Sequence, residues 1–194
     1  MKITDLKCAV IGNNPVIRIK TDEGIDGYGQ AEASKDYLKP HVLFYREHLL
    51  DQDPTDVERV MMRIRRLGAF KPWGSAVSAI EFALWDIAGK AAGLPVYKLL
   101  GGKVRDRVRV YNGNVRFPLE GFEPEDYANN MRKMRASPEN FSIIKQGVAF
   151  HGPMATSVPG FYYGEPDRTK RHPNRGLMTE KGFNHLMACI EAMK

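Results

Sequence analysis

The stretch AIEFALWDIAGKAAGLPVYKLLGG, residues 79–102, joins a helical pattern to a strand-like pattern and decides how the chain is organised. Small and apolar side chains recur at spacings of three and four over 75–92, which predicts a helix there. Gly93 stands where a helix commonly ends with a residue in the left-handed region. Because many residues of this helix are alanines, we expect a neighbouring backbone to pack closely against it.

The chain before this helix begins with alternating polar and apolar residues and then changes to a helical period. The alternating segments predict antiparallel strands over 2–11, 16–20 and 25–30. A turn is predicted at 13–15, and the glycines of IDGYGQ in the third strand mark a close approach of backbone or ligand. Helices are predicted over 38–50 and 54–67, the second with Asp53 as its N-cap. Three strands followed by three helices predict a compact α+β domain.

The chain after this domain changes pattern again. Strands are predicted over 107–112 and 141–145 with a helix over 124–136 between them, an order that implies parallel strands joined by a right-handed crossover. A long loop over 146–178 then leads to a helix capped by Thr179. Two parallel strands and two helices cannot cover both faces of a sheet, and the last helix has no terminating residue. We therefore expect the chain to be the N-terminal part of a longer protein.

Composition and charge narrow the classes of function. The chain has 194 residues and a net charge of +6, but its basic residues are dispersed and usually lie near acids, which argues against a nucleic-acid partner. No apolar run approaches the ~20 residues that span a bilayer, so no membrane is expected. The N-terminus does not resemble a secretory signal, and the two cysteines indicate neither a disulfide framework nor a zinc site. A cytoplasmic protein is expected.

Three stretches of the sequence carry a family resemblance: the junction 78–102, the segment RVRVYNGN that follows it, and VIRIKTDEGIDGYGQAE in the first sheet. Together they resemble the enolase superfamily, in its mandelate racemase and muconate lactonizing enzyme branch. The resemblance implies an α+β capping domain over 1–104. It also implies that 105–194 holds the first two βα units of a TIM-like (β/α) barrel, incomplete in this chain. A homo-oligomer that binds a small-molecule carboxylate substrate is implied as well.

The resemblance implies a shared chemistry, in which a base removes the proton α to a carboxylate and Mg²⁺ stabilises the enediolate. The family places its lysine base at the end of the second barrel strand, as Lys-x-Lys followed closely by Gly. In IIKQG, Lys145 takes the second position, while Ile143 replaces the first lysine and removes its positive charge. Lys145 is therefore the candidate catalytic base; the alternative is a lysine whose stem lies along apolar surface at a strand end. The acidic Mg²⁺ ligands are expected beyond residue 194, so no metal ligand is assigned in this chain.

Candidate substrate-binding residues come from the long loop and from the capping domain. His151 follows the second predicted strand and is placed to donate to a substrate hydroxyl or to transfer a proton. The family's cap contributes specificity loops, which makes Trp73 and Asn14 candidates as well. Further loop residues are predicted to wall the pocket or meet a carboxylate: Phe161, Tyr162, Tyr163, Arg168, Arg171 and Arg175. For each loop residue an ordinary loop or oligomer contact is the alternative.

The function that these features favour is dehydration of a sugar acid, an aldonate or aldarate, to a 2-keto-3-deoxy acid. A large polar and aromatic loop with a single lysine suits a hydroxylated acid better than an apolar lactone. Racemisation or cycloisomerisation within the same superfamily is one alternative. A non-catalytic α+β module that acts only in assembly is the other, and this chain alone is expected to be inactive.

Overall fold

The computed structural model describes residues 1–31, 36–68, 74–113, 118–148, 154–168 and 172–194. The chain divides into two compact units, Met1–Asp106 and Arg107–Lys194. The predicted site residues Trp73, His151 and Arg171 lie outside the described residues.

The first unit contains the predicted antiparallel sheet, which is confirmed. Its strands are paired in the order β1-β2-β3 and comprise β1 (Ile3–Ile11), β2 (Asn14–Thr21) and β3 (Gly27–Gln30). The first turn lies at Gly12 and Asn13 and not at the predicted 13–15, because Gly12 takes the positive φ of 61° that this hairpin requires. A shift in pairing between Ile3 and Asp5 allows Ile3 and Leu6 to lie buried on one face despite their odd spacing.

In the described part of the first unit, five helices follow the sheet. They are α1 (Leu38–Phe44), α2 (Arg46–Leu49), α3 (Val57–Gly68), α4 (Gly74–Ala92) and α5 (Val96–Leu99). The helix predicted over 38–50 is divided at Tyr45, whose side chain is fully buried. The predicted cap at Asp53 is wrong: its carboxylate accepts from the N–H and hydroxyl of Thr55, and the helix begins only at Val57.

Helix α4 ends as its sequence predicts. Gly93 has a φ of 64° and its N–H donates to the carbonyl of Lys90, while the N–H of Leu94 donates to the carbonyl of Gly89. These two hydrogen bonds satisfy carbonyls at the helix end that have no partner within the helix. The chain therefore turns sharply out of α4 and into α5.

The close packing predicted for α4 is confirmed, and its partner is β3. A Cβ atom at Gly27 would overlap the carbonyl oxygen of Ala83, and one at Gly29 would overlap that of Ala79. Because both contact surfaces lack large side chains, the helix backbone lies directly on the strand. The inward sheet face and the helices enclose one core, whose fully buried large members include Leu6, Ile17, Ile19, Leu38, Tyr45, Leu49, Met61 and Ile64.

The second unit contains three described helices, α6 (Pro124–Arg135), α7 (Met154–Ser157) and α8 (Glu180–Ala192). The predicted cap of α8 is confirmed, since the Thr179 hydroxyl accepts from the Gly182 N–H at 2.9 Å. The core of the second unit contains Tyr127, Met154, Phe161, Tyr162 and Cys189. No helix in the described part of the chain is long and apolar enough to cross a membrane.

The strands predicted over 107–112 and 141–145 are reduced to one parallel bridge, Asn112 with Ile144. Parallel pairing is therefore present, but only at one residue pair. Within the described residues no further strand flanks this pair, so Val108 and Val110 remain 71% and 59% exposed. Without lateral hydrogen bonds and apolar cover, the alternating sequence does not extend into a sheet.

Candidate functional site around Lys145

The parallel bridge fixes the backbone of Lys145. The N–H of Asn112 donates to the carbonyl of Ile143 at 2.9 Å, and the N–H of Lys145 donates to the carbonyl of Asn112 at 2.9 Å. These two hydrogen bonds give the evenly slanted pattern of parallel strands. Lys145 is therefore held in a defined register against the segment that ends at Asn112.

The two faces of this bridge differ in burial. Asn112 is only 8% exposed and Ile144 is half-buried, so the face that carries the bridged pair is covered. Neighbouring residues of an extended chain point to opposite faces. Tyr111 and Lys145, each one residue from the bridged pair, lie on the open face, where the Tyr111 side chain is 52% exposed.

The amine of Lys145 lies 5.6 Å from the centroid of the Tyr111 ring. Among the described residues this amine makes no ion pair and no hydrogen bond. A carboxylate partner would occupy the amine, whereas a general base must be free to approach a proton on a substrate. The position and surroundings of Lys145 therefore match what a base on an open face requires.

The second described member of the predicted site is Asn14. It is the first residue of β2, pairs with Ile11 across the hairpin and is half-buried. Asn14 belongs to the first unit and Lys145 to the second, and each is placed within its own unit. Neither Trp73 nor His151 is among the described residues, so their predicted roles stay predictions.

The aromatic run of the long loop does not form the predicted pocket wall. Phe161 and Tyr162 are 1% and 2% exposed and belong to the core of the second unit, whereas Tyr163 is exposed. The cause is helix α8, where a Cβ atom at Gly182 would overlap the carbonyl oxygen of Phe161, so loop and helix backbones lie in direct contact. The loop packs inward because Gly182 leaves room for it.

The polar residues of this loop are divided between surface and structure. Arg168 and Arg175 are exposed, and Arg171 lies outside the described residues. His172 is half-buried: its Nδ1 accepts from the Asn174 N–H at 3.3 Å, and its ring packs edge-on against Tyr162 with the ring centroids 5.0 Å apart. His172 therefore organises the loop.

Two buried groups with potential chemistry are held neutral in the second unit. Burial raises the pKa of Tyr127 to about 12 and also raises the pKa of the Cys189 thiol. The Cys189 sulfur lies 3.7 Å from the carbonyl oxygen of Phe122, which also accepts from Nε2 of His185 at 2.7 Å. Both groups serve packing, because a buried neutral phenol or thiol is a poor nucleophile.

The acidic residues of α4 act in the fold of the first unit. Glu81 contacts the guanidinium of Arg65 at 3.1 Å, and Asp86 accepts from the N–H of Tyr28 at 2.9 Å and from the amine of Lys90 at 2.6 Å. Within the described ranges, no group of three or more His, Cys, Asp or Glu side chains lies together as a metal cluster.

Tyr111 is the residue of this site that sequence patterns did not single out. The signal was present in the register: pairing 107–112 in parallel with 141–145 brings Tyr111 beside Lys145 once Asn112 and Ile144 are aligned. The pattern within one segment does not show which residue of another segment lies beside it. That register is a property of the two paired segments.

A family model of the mandelate racemase / muconate lactonizing enzyme N-terminal domain matches residues 11–101, which cover strands β2 and β3 and helices α1–α5. Residues 11–101 belong to this domain family. The predicted membership in the mandelate racemase and muconate lactonizing enzyme branch is thereby confirmed for this N-terminal part, and the first unit is its capping domain.

Curated proteins similar to this chain include dehydratases. D-galactonate dehydratase of Variovorax paradoxus is 36% identical over 123 residues, which are 61% of this chain and 31% of the relative. D-galactonate dehydratase of Pectobacterium atrosepticum is 32% identical over 169 residues, 70% of this chain and 44% of the relative. The chain thus spans less than half the length of these relatives.

A solved structure extends the likeness over both units. A member of the enolase superfamily from Salmonella Typhimurium matches 99% of this chain and 51% of its own length, with a TM-score of 0.77 and 25% sequence identity. The similarity therefore includes the segment that carries Lys145.

Proposed function

We propose that this chain is the N-terminal part of a dehydratase that converts a sugar acid, an aldonate or aldarate, to a 2-keto-3-deoxy acid. Two similar proteins are named D-galactonate dehydratase. In the proposal, residues 105–194 begin the barrel and Lys145 is the catalytic base. The observation that carries the assignment is an exposed amine on the open face of a parallel bridge, without a carboxylate partner among the described residues.

The proposed reaction starts at the carbon next to the substrate carboxylate. The Nζ lone pair of Lys145 takes the α proton, and the electrons of the broken C–H bond move towards the carboxylate. The β-hydroxyl then leaves with a proton as water, and the enol that remains tautomerises to the 2-keto-3-deoxy acid. His151 is the predicted donor to that hydroxyl. Mg²⁺ is an expectation for the whole protein from its family, and no step is assigned to it here.

The test measures the intact mass of the expressed protein and then assays the complete protein, with Mg²⁺, on a panel of aldonates and aldarates. Lys145→Met should lower keto-acid formation by about 10²- to 10⁴-fold, the range that a positioned proton-transfer group contributes. Lys98→Met is the matched control, because the Lys98 amine also lies beside an aromatic ring, 5.8 Å from the centroid of Tyr97. The control should keep its activity.

Two results would contradict the proposal. One is full keto-acid formation by the Lys145→Met protein, which would remove the base from Lys145. The other is turnover of an amino acid or a lactone with no keto acid formed from any acid sugar, which would favour the racemase or cycloisomerase alternative.

A further inference from the structure

The surroundings of the Lys145 amine contain one feature that the proposed function does not use. The Tyr111 ring is half-exposed and lies with its centroid 5.6 Å from Nζ of Lys145, within the range of a cation–π contact. The ring is not part of either core cluster of the described residues, so apolar packing does not explain its position.

The contact is a consequence of backbone register. Asn112 holds the neighbouring strand through two hydrogen bonds, one to the carbonyl of Ile143 and one from the N–H of Lys145. A slip of one residue would send Tyr111 to the covered face, where Asn112 now lies. The same two hydrogen bonds therefore fix the position of the Lys145 backbone relative to Asn112. They also place the Tyr111 ring beside the Lys145 side chain.

The contact between Tyr111 and Lys145 suits a base whose amine must be held in place without being engaged in an ion pair. The ring face attracts the ammonium group that Lys145 becomes when it takes the α proton. Unlike a carboxylate, the ring leaves the lone pair of the neutral amine free to accept that proton. On this face Ile143 adds an apolar neighbour in the sequence and no second charge. A long lysine side chain otherwise samples many rotamers, and restricting them lowers the cost of reaching one productive position.

We propose that Tyr111 is a positioning residue that holds the Lys145 amine over its ring on the open face of the bridge. This inference rests on the proposed function, in which Lys145 is the base. Tyr111 acts through Lys145 and is assigned no contact with the substrate.

The contact is tested by NMR on the chain with isotope-labelled lysine, with the Lys145 signals assigned by their loss in Lys145→Met. In the unmodified chain, the ε-methylene protons of Lys145 should show NOEs to the Tyr111 ring and an upfield ring-current displacement. Tyr111→Phe keeps the ring and should keep the displacement, whereas Tyr111→Leu should move the signals to the positions of other exposed lysines. Tyr97→Leu is the matched control, since it removes a comparably exposed ring beside Lys98 and should leave Lys145 unchanged.

The effect on catalysis is tested in the complete enzyme. Tyr111→Leu should lower kcat about two- to five-fold with little change in KM, the effect expected from losing an exposed cation–π contact, and Tyr111→Phe should restore kcat. Absence of the NOEs in the unmodified chain, or Lys145 signals unmoved in Tyr111→Leu, would overturn the inference and leave the proposed base untouched. Full activity of Lys145→Met would instead defeat the proposed function, while the NMR result would still decide the contact.

Discussion

The two units differ in how their extended segments are paired and covered. In the first unit, β3 is covered by the backbone of α4, and Gly27 and Gly29 allow that contact. In the second unit, the bridge of Asn112 and Ile144 is flanked by valines that stay largely exposed. Both segments have alternating sequences, so alternation alone does not decide whether a strand forms. The difference teaches that a strand needs lateral partners and a covering layer, and the first unit supplies both, from the neighbouring strand β2 and from the distant helix α4.

The largest effect on stability is expected at the contact between β3 and α4. Gly29→Ala should lower the free energy of unfolding of the first unit by about 3 kcal/mol, because the added Cβ overlaps the carbonyl of Ala79 and forces two backbones apart. Urea unfolding followed by tryptophan fluorescence measures this, since both tryptophans precede residue 107.

The matched control for this change lies in the second unit. A Cβ at Gly147 meets no atom within 4 Å and its φ is not positive. Gly147→Ala should therefore change the stability of the second unit, measured by hydrogen exchange, by less than about 0.5 kcal/mol. Equal effects of the two substitutions would show that close packing on α4 is not what holds the first unit together.

The second unit has its own backbone contact, between Gly182 and Phe161. Gly182→Ala should destabilise that unit by about 2 kcal/mol, since the loop at Phe161 must move away from α8. Hydrogen exchange should show lost protection in Glu180–Ala192, while the tryptophan transition of the first unit stays in place. Unchanged protection in that helix would contradict the packing described for the loop.

The smallest expected effect is a pH dependence confined to the first unit. The hydrogen bond from Nε of Arg46 holds the pKa of Asp5 below its usual value. The unfolded chain therefore binds a proton more readily, so the contribution of this pair is complete above about pH 4 and is lost as the pH falls through the lower folded-state pKa.

The measurement compares the unmodified chain with Asp5→Asn between pH 2 and 7. The difference in unfolding free energy should be constant at the upper end and shrink below about pH 4. A difference that grows towards acid would contradict the assigned direction. The lowered pKa of His41, caused by burial, also reduces stability as the pH falls, but it is present in both proteins and cancels.

Local signals predicted the capping domain well. The alanine spacing of α4 and its stop at Gly93 are set by neighbours in sequence, so a single segment contains the information. The glycines of β3 marked a close approach in the sequence, but not that its partner is α4. The break at Tyr45 was not predictable, because it depends on burial against other elements. Nor was the late start of α3, where Asp53 binds Thr55 and leaves the helix to begin further on.

The candidate site was predictable in its central residue and not in its surroundings. Lys145 follows from a family pattern read along one segment. The neighbouring ring of Tyr111 depends on the register of two segments, and the burial of Phe161 depends on a glycine in a distant helix. Sequence composition marked the long loop as polar and aromatic, but it could not tell which aromatic side chains turn inward.

The carboxylate of Asp86 has a consequence for the free border of the sheet. An outer strand with open N–H groups is a template onto which a foreign chain can be added. Asp86 occupies the N–H of Tyr28 and is itself braced by Lys90, whose amine also reaches the carbonyl of Asp26. A peptide that pairs with this edge of β3 would have to displace the Asp86 carboxylate from the Tyr28 N–H. The Asp86 contact therefore disfavours edge-to-edge aggregation at this strand of the capping domain.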